Sequence, residues 1–489
     1  MSRTAQKSGT LATAGRLTAL LAGALLCARA LVDPDLWGHL TFGADILSSG
    51  RITTVDPYSF TQDVPWVNHE WLSEVGFALA YRLGGVAGLV LLKTLLLGAT
   101  LWLLWRELEP LAGQAKRWWL LAVVAFALAP AGTSFRPQLW TLLALAVLVR
   151  ALAGRLALAW VVPVFAVWGN LHGGWIVGVG LVSSTLAGRV LDRGSLRQLA
   201  GPALVLLAAV AATIVNPYGT GLWHFLSGTV RMTREISEWR PVWQQADVSH
   251  AVLWLLVFTA GALSVWRRWR AVPWAALVPA AGLCVASLWV DRLGPLFAIV
   301  SVPLWRDAWS REPLAAPASV PPVTAAAGGG APLWMVDAVA VTAVWVVVAG
   351  GAARCLAIQG VWVPDLEAAA VLRSAAPGRL VVPFDWGEYA IWHFGPSLRV
   401  SMDGRRETVY SPRTIELQDA VMSGAPEGIA YLLREKPEYV WMKSDAAAVR
   451  DALGAAGYRV DVSTRRSFVA SRGDVPALQA AAAMPSCFP

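Results

Sequence analysis

The first polar stretch of the chain, residues 33–85, begins with side chains that could carry out acid–base chemistry. Asp35 is followed four residues later by His39. In a helix this spacing places both side chains on one face. A carboxylate in such a place can act as a general base, with the imidazole as its partner. We therefore predict catalytic roles for Asp35 and His39.

Further acids and an imidazole belong to the same stretch. Glu70, directly after His69, opens a second amphipathic run. We predict a catalytic role for Glu70 and substrate-binding roles for His69 and Asp33. Structural alternatives stay open for all three. Asp33 followed by proline is a typical helix start, and an acid in the first turn of a helix complements the helix dipole.

Three cations and one histidine outside this stretch could bind an anionic substrate. Lys93 lies in an apolar run, where a charge is unfavourable unless it is paired or faces a cavity. Arg136 in FRPQL and Arg292 beside Asp291 lie at the ends of apolar runs, and guanidinium groups bind phosphate in a bidentate way. We predict substrate-binding roles for these three and for His172 in GNLHGGW. The alternative is anchoring at the lipid headgroups.

The composition is that of an integral membrane protein. Hydrophobic residues make up 56% of the 489 residues, charged residues 15%, and the mean hydropathy is +0.53. These values exclude an ordinary soluble domain. Many of the 27 tryptophans flank apolar runs, as in the aromatic belts at membrane interfaces. The four cysteines lack metal-ligand spacing, although Cys355 and Cys487 could meet outside the membrane.

Apolar runs predict eleven membrane-spanning segments. The first run could also be a signal peptide, but the polar stretch follows it at once and favours an uncleaved span. Gly84 and Gly85 separate the second amphipathic run from the second span. The predicted spans are 17–32, 86–105, 118–132, 138–152, 156–169, 175–190, 199–215, 250–266, 272–290, 293–306 and 333–353.

The distribution of basic residues predicts the orientation. With the N-terminus in the cytoplasm, the inner segments hold 16 Lys and Arg, and the outer segments before the last span hold 7. This asymmetry satisfies the positive-inside rule and accounts for the net charge of +8 without nucleic acid as a partner. The same arrangement places every motif-like loop outside, so we predict that the outer face is the working face.

The segment after the last span is soluble in character. Runs typical of β-strands at 380–382, 398–402, 439–442, 459–462 and 468–470 alternate with helical runs at 365–376, 413–435 and 445–456, which predicts a small α/β domain outside the membrane. The predicted parts of the chain are a membrane domain over 1–309 with the outer loop 33–85, a Pro/Ala/Gly linker over 310–332, the last span over 333–353, the α/β domain over 354–473 and a disordered tail over 474–489.

Short motifs in a fixed order resemble the GT-C superfamily of polytopic membrane glycosyltransferases, and are most similar to family 39-like and uncharacterised bacterial GT-C-like proteins. The resemblance rests on a short cytoplasmic tail, one span and an outer helix headed by an acid. The motifs are DPDLWGHLTFGADILSSGRITTVDPYSFT, PWVNHEWL, FRPQL, NLHGG, NPYG, RLGPLFA, WGEYAIW and DGRRETVY.

This resemblance implies a GT-C-like helical membrane protein with about eleven spans and a small extracytoplasmic α/β domain in the bacterial plasma membrane. It implies transfer of a sugar from a polyprenyl-phosphate donor to an extracytoplasmic lipid, glycan or protein. The catalytic acid of the first outer loop would be Asp35, with Asp33 as the alternative, and the acid of the second outer helix region would be Glu70. A divalent cation (Mg²⁺ or Mn²⁺) is possible, with Asp35, His39 and Glu70 as its ligands.

The sequence also departs from the better-studied GT-C enzymes. Its first loop has no adjacent Asp-Glu pair, and its outer domain has no WWDYG-type motif. Two other functions therefore stay open: a transporter or flippase of lipid-linked sugars, and a non-catalytic assembly factor. The sequence has no convincing internal repeat and few polar groups at mid-bilayer, and both observations disfavour transport.

Overall fold

The computed structural model describes residues 3–111, 113–231, 237–310, 355–479 and 481–489, with 342, 344, 346 and 348–351. The predicted linker over 310–332 lies outside these residues except for Ser310, and most of the predicted last span over 333–353 also lies outside them. The described chain consists of a large helical part and a small C-terminal sheet domain.

The helical part contains thirteen described α-helices, numbered α1 to α13 in chain order. Short 3₁₀ turns over Ser237–Trp239 and Asp291–Leu293 lie in its loops. The helices are Arg3–Ala28, Asp35–Ser49, Trp71–Glu107, Gln114–Ala127, Ala129–Gly132, Gln138–Leu152, Val161–Leu171, Trp175–Leu191, Leu196–Ala212, Gly221–Arg231, Ser249–Arg268, Trp274–Trp289 and Gly294–Trp309.

Each of the first ten predicted spans coincides with one or more of these helices. Among the described residues, three helical segments are long and apolar enough to cross a membrane: Thr10–Ala28, Trp71–Glu107 and Ser249–Arg268. Five further apolar helices are shorter. The chain is therefore a helical membrane protein, and the number of eleven crossings remains a prediction.

Helix α2 positions Asp35 at its first residue. Asp33 lies just before the helix, and its side chain accepts a hydrogen bond from the Asp35 N–H at 3.0 Å, so it holds the helix start as a capping side chain does. The helix ends at Gly50, whose φ of 64° suits glycine in the left-handed region. The apolar face, with Trp37 fully buried, packs against α3.

Helix α3 contains both the second amphipathic run and the second predicted span. The two glycines that separate these runs in the sequence do not end the helix. Gly85 instead adopts a φ of 57° inside it and produces a kink. The polar outer half of α3 is thereby joined directly to its apolar half.

The C-terminal domain is a five-stranded mixed sheet in the order β2-β1-β3-β5-β4. Strands β1, β2 and β3 are parallel, whereas β5 pairs antiparallel with β3 and β4. All five predicted strands are present, at Gly378–Val381, Leu398–Val400, Tyr439–Lys443, Tyr458–Ser463 and Ser467–Arg472.

Five helices accompany this sheet, and they differ from the prediction in two respects. The predicted helix over 413–435 is two helices, because Gly424 adopts a left-handed φ of 71° and Pro426 starts a new helix. The helix over Phe384–Phe394 was not predicted. Helices α14 to α18 are Leu366–Val371, Phe384–Phe394, Pro412–Ser423, Pro426–Glu435 and Ala447–Ala455.

The first outer loop docks on the edge of this sheet. The backbone of Val400 in β2 donates to the Tyr58 carbonyl at 2.9 Å and accepts from the Phe60 N–H at 3.1 Å. Asp63 accepts hydrogen bonds from the side chains of Ser411 and Thr414 at 2.5 and 2.7 Å. The loop and the C-terminal domain therefore share backbone and side-chain hydrogen bonds.

A buried ion pair holds the same two parts together. Arg405 donates to both carboxylate oxygens of Asp56, each at 2.9 Å, and to Asp403 at 2.7 and 2.8 Å. Its guanidinium also lies 4.7 Å from the ring centroids of Phe42 and Trp66. Such a bidentate pair surrounded by aromatic rings is geometrically specific, and removal of one partner would strand a buried charge.

The C-terminal tail, for which the sequence predicts disorder over 474–489, instead packs against the protein. Cys487 forms a disulfide with Cys355, and Phe488 is buried with its ring 5.3 Å from Trp37 of α2. The prediction missed this because an Ala-rich composition does not show that one aromatic side chain and one disulfide fix the chain end.

Candidate functional site

Arg136 is the centre of a charged cluster on the side of the molecule that carries α2. Its Nε donates to Asp33 Oδ2 at 3.0 Å, and its Nη2 lies 3.5 Å from Asp35 Oδ2. The segment before α6 brings it there, because the Leu31 N–H donates to the Thr133 carbonyl at 2.9 Å. The structure thus joins Arg136 to Asp33 and Asp35, two predicted site residues that precede it by about a hundred positions.

Glu238 extends this cluster to a second guanidinium. Its Oε1 accepts from Arg136 Nη1 at 3.0 Å and from Arg292 Nη1 at 2.9 Å. Arg292 is held on its 3₁₀ turn, where the neighbouring Asp291 pairs with His250 at 2.5 Å. Sequence reasoning did not select Glu238. The available signal was an acid in an outer loop that also carries Arg231, Arg234 and Arg240.

Asp35 is the most accessible carboxyl of the cluster, with a third of its side chain exposed. Desolvation raises the pKa of Asp35 to about 6. Arg136 opposes this shift and Asp33 adds to it. Arg136 itself has its pKa raised, because its three carboxylate neighbours outweigh the effect of burial. Asp35 is therefore mostly ionised at neutral pH but close enough to its pKa to exchange a proton.

Glu70 lies in a second cluster, between two histidines. His69 Nε2 is 3.5 Å and His172 Nε2 is 3.7 Å from Glu70 Oε1. The Gly174 N–H donates to His172 Nδ1 at 3.1 Å, so the proton of the neutral ring lies on Nε2, toward Glu70. Burial lowers the pKa of His172 to about 4. The structure therefore brings Glu70, His69 and His172 together. In this cluster the neutral imidazole of His172 lies beside the carboxylate of Glu70.

His39 pairs with Glu74 and not with Asp35, which corrects the predicted pairing. His39 Nδ1 lies 3.7 Å from Glu74 Oε1, and Asn68 donates to the other Glu74 oxygen at 2.5 Å. Burial works against the charge of His39, but its acidic neighbours, Glu74 first, raise the pKa of the imidazole to about 9. The prediction failed because α3 presents a nearer carboxylate that no local spacing reveals.

Lys93 does not have the free ammonium that a phosphate-binding role requires. The side chain is fully buried. Its Nζ donates to the carbonyls of Leu26, Arg29 and Thr133, which lie at the ends of α1 and α5. The lysine therefore donates to helix-end carbonyls, and at the Thr133 carbonyl it adds to the Leu31 N–H. This buried arrangement does not favour the predicted substrate contact.

The proposed metal ligands are not assembled as a set. Within the part of the chain that the structure describes, no three His, Cys, Asp or Glu side chains are grouped so that they could hold a metal ion. Asp35 faces Arg136, His39 faces Glu74, and Glu70 faces two histidines. This donor arrangement does not fit a divalent cation bound by Asp35, His39 and Glu70.

A carboxyl group of the C-terminal domain reaches the start of α2. Glu388 Oε2 accepts a hydrogen bond from the Gly38 N–H at 3.1 Å, and only 4% of Glu388 is exposed. A Cβ placed on Gly404 would lie 2.6 Å from Asp35 Oδ1 and 2.9 Å from Glu388 Oε1. Asp35 and Glu388 therefore converge over a residue that has no side chain.

The fold resembles that of an archaeal oligosaccharyltransferase from Archaeoglobus fulgidus. The apo enzyme superposes with a TM-score of 0.57 at 12% identity, over 88% of this chain and 69% of that one. The same enzyme tethered to an acceptor peptide containing the NVT sequon superposes with a TM-score of 0.54 at 12% identity, over 95% of this chain and 74% of that one. Its complex with an inhibitory peptide and a dolichol-phosphate superposes with a TM-score of 0.56 at 12% identity, over 94% of this chain and 75% of that one.

These similarities show that the chain shares the fold of this oligosaccharyltransferase. No protein-family model matches the sequence, and no curated protein matches it. The fold expected from the motif order is therefore confirmed at the level of architecture, as a helical membrane protein with a small C-terminal sheet domain.

Proposed function

We propose that this protein is a membrane glycosyltransferase that moves a sugar from a polyprenyl-phosphate donor to an acceptor outside the cytoplasm. The observation that carries the proposal is the cluster in which the accessible carboxyl of Asp35 lies 3.5 Å from Arg136 Nη2, while Glu238 links Arg136 to Arg292. A base and two cations side by side are what transfer from a phosphate leaving group needs.

The structural neighbours support the class of donor and acceptor. The archaeal enzyme of the same fold binds a dolichol-phosphate in one structure and an acceptor peptide in another. A lipid-linked sugar keeps its tail in the bilayer and its phosphate at the surface, at the level of the helix ends that carry Arg136 and Arg292. We propose a lipid-linked sugar as donor and a lipid, glycan or protein as acceptor.

Asp35 is the base in this proposal. Its carboxylate accepts the proton of the acceptor hydroxyl or amine, and the freed electron pair bonds to the anomeric carbon of the sugar. The bond from that carbon to the phosphate oxygen breaks, and the phosphate retains the electron pair. A carboxyl with a pKa near 6 is ionised at neutral pH and can accept this proton.

Arg292 and Arg136 would stabilise the leaving phosphate. Within the described residues, Arg292 makes one ion pair, with Glu238, whereas Arg136 contacts three carboxylates. Arg292 is therefore better placed to turn one edge of its guanidinium to a phosphate. Arg136 would mainly orient Asp33 and Asp35 and add positive charge beside the reacting atoms.

We further propose that the protein lies in the plasma membrane of a bacterium. Its C-terminal domain and the charged cluster then face the outside of the cytoplasm. The 16 inner and 7 outer basic residues support this orientation. The Cys355–Cys487 disulfide supports it independently, because structural disulfides persist mainly in oxidising compartments.

The test compares a deletion strain complemented with wild type, Asp35→Asn or Asp45→Asn. Asp45 is an exposed aspartate on the same helix and serves as the matched control. Lipid-linked sugars and surface glycans are profiled, and membrane levels of each protein are checked by immunoblot. Accumulation of a lipid-linked sugar and loss of one glycan in Asp35→Asn alone support the proposal.

Two outcomes would replace the proposed glycosyltransferase function with another function. If lipid-linked sugars accumulate on the inner leaflet only, and vesicles with wild-type protein move them across the bilayer without transfer, the protein is a flippase. If Asp35→Asn behaves as wild type while deletion of the whole chain removes the glycan, an assembly factor without catalysis is the correct function.

A further inference from the structure

Three glycines allow Glu388 to approach the start of α2. A Cβ on Gly38 would lie 2.1 Å from Glu388 Oε2, and a Cβ on Gly404 would lie 2.9 Å from Glu388 Oε1. A Cβ on Gly387, beside Glu388 in α15, would lie 2.2 Å from the Met402 carbonyl. At Gly387 the added atom would meet backbone, so α15 can lie this close to the turn after β2 only without a side chain there. At Gly38 and Gly404 the added atom would meet the carboxyl end of Glu388, which would have to leave its present position.

The surroundings of Glu388 are unfavourable for an acid with a purely structural role. The residue is 4% exposed, and burial of a carboxyl is unfavourable compared with an apolar residue of similar size unless it is well paired. Burial, Asp35 and Asp403 raise the pKa of Glu388 well above its usual range, although Arg405 opposes the shift. A neutral Glu388 can donate a hydrogen bond as well as accept one.

We propose that Glu388, contributed by the C-terminal domain, is a positioning residue for Asp35. The inference rests on the proposed function, in which Asp35 is the base. One oxygen of Glu388 is held by the Gly38 N–H at 3.1 Å, and the other lies with Asp35 Oδ1 over Gly404. The opposite oxygen of Asp35 faces Arg136 Nη2 at 3.5 Å.

In this proposal Asp35 is oriented from two sides by residues of different parts of the chain. Arg136 Nη2 lies 3.5 Å from Oδ2, and Asp35 Oδ1 and Glu388 Oε1 both lie next to Gly404. The two neighbours would restrict the plane of the Asp35 carboxyl relative to an incoming acceptor. A reacting group that is displaced by about 1 Å can lose about 10²-fold in rate. The base is therefore in its productive orientation only when the C-terminal domain is docked on α2.

The experiment measures kcat and the KM for the donor with Glu388→Gln, Glu388→Ala and Gly404→Ala. The donor is the radiolabelled lipid-linked sugar fraction extracted from the deletion strain, and the acceptor is supplied as deletion-strain membranes. Glu388→Gln keeps the shape and both hydrogen-bonding functions, and we expect kcat within about threefold of wild type. Glu388→Ala and Gly404→Ala should lower kcat by about 10²-fold with the donor KM unchanged.

A control separates positioning from docking of the domain. Asp63→Ala removes the hydrogen bonds to Ser411 and Thr414, which hold the same domain on the loop away from Asp35. This variant should lower the unfolding temperature while kcat stays within about threefold of wild type, since it leaves the geometry around Asp35 intact.

The possible results are distinct. Loss of kcat in Glu388→Ala with retention in Glu388→Gln supports the inference. Wild-type kcat in both Glu388→Ala and Gly404→Ala, with Asp35→Asn inactive, overturns it and leaves the proposed function intact. Equal loss in Glu388→Gln, Glu388→Ala and Asp63→Ala shows a docking role only and also overturns it. A wild type without any transfer overturns both.

Discussion

The backbone N–H of Gly38 donates a hydrogen bond to Glu388 at 3.1 Å, which joins the first outer helix to a domain 350 positions later in the chain. Gly38 lies one turn after Asp35 on α2. The bond is supported nearby by the buried pair between Arg405 and Asp56. The candidate base is therefore part of an interface between the first outer loop and the C-terminal domain.

The pH dependence of transfer should reflect the ionisation of Asp35. Burial raises the pKa of this carboxyl to about 6, Arg136 lowers it, and the charges of Asp33, His39 and Glu238 act on it as well. A base acts in its ionised form, so kcat/KM should rise with pH through about 6 and then level off. Arg136→Gln removes the main stabilising cation and should move this rise to a higher pH. An unchanged profile in this variant would contradict the assignment.

The ion pair of Arg405 should stabilise the docked domain. Arg405→Met would leave Asp56 and Asp403 buried without a cation, and removal of one partner of such a pair costs about 3–5 kcal/mol. The unfolding temperature in detergent should fall clearly. Arg413→Met is the matched control, because Arg413 and its partners Glu416 and Glu427 are at least 60% exposed, and no measurable change is expected. Equal effects of both variants would refute a special role for Arg405.

Lys93 should matter for stability and not for donor binding. Lys93→Met leaves the carbonyls of Leu26 and Arg29 without the lysine donor, and it leaves the Thr133 carbonyl with the Leu31 N–H alone. The membrane level and the unfolding temperature should therefore fall. The donor KM of the remaining folded protein should equal that of wild type. A raised KM at normal stability would restore the phosphate-binding role that the sequence suggested.

The disulfide gives a test of orientation. In cells treated with a membrane-impermeant maleimide, Cys355 and Cys487 should react only after reduction, because they are paired and lie outside the cytoplasm in our proposal. Cys27 and Cys284, which lie in α1 and α12, should stay unlabelled and serve as internal controls. Labelling of Cys355 before reduction would show that no disulfide forms.

Much of the architecture could be predicted from local pattern. The apolar runs matched helices, and alternation of β-type and helical runs located all five strands. Asp33-Pro34 predicted the start of α2 to within one residue, since the helix begins at Asp35 and Pro34 is its N-cap. The helix over Phe384–Phe394 was missed because its aromatic residues favour strands, although Trp386, Tyr389 and Ala390 lie at helical spacing and are buried.

The site could be predicted only in part, because its pairings are made across the fold. Asp35 and Arg136 were selected one by one from residue type and position, and the structure brings them together. Glu238 and Glu74 were not selected, since each acquires its role from a partner on another element. The role of Glu388 depends on close approaches at its neighbour Gly387 and at the distant Gly38 and Gly404, and these approaches have no local signature.

The most direct test of the account is transfer by the purified protein in lipid nanodiscs. Wild type, Asp35→Asn and the same-helix control Asp45→Asn are supplied with the radiolabelled lipid-linked sugar fraction and deletion-strain acceptor membranes, and released polyprenyl phosphate and labelled acceptor are quantified. We expect equal amounts of both products with wild type and Asp45→Asn, and a loss of about 10²–10⁴-fold in Asp35→Asn. Transfer by Asp35→Asn at the wild-type rate would contradict the central claim that Asp35 is the base.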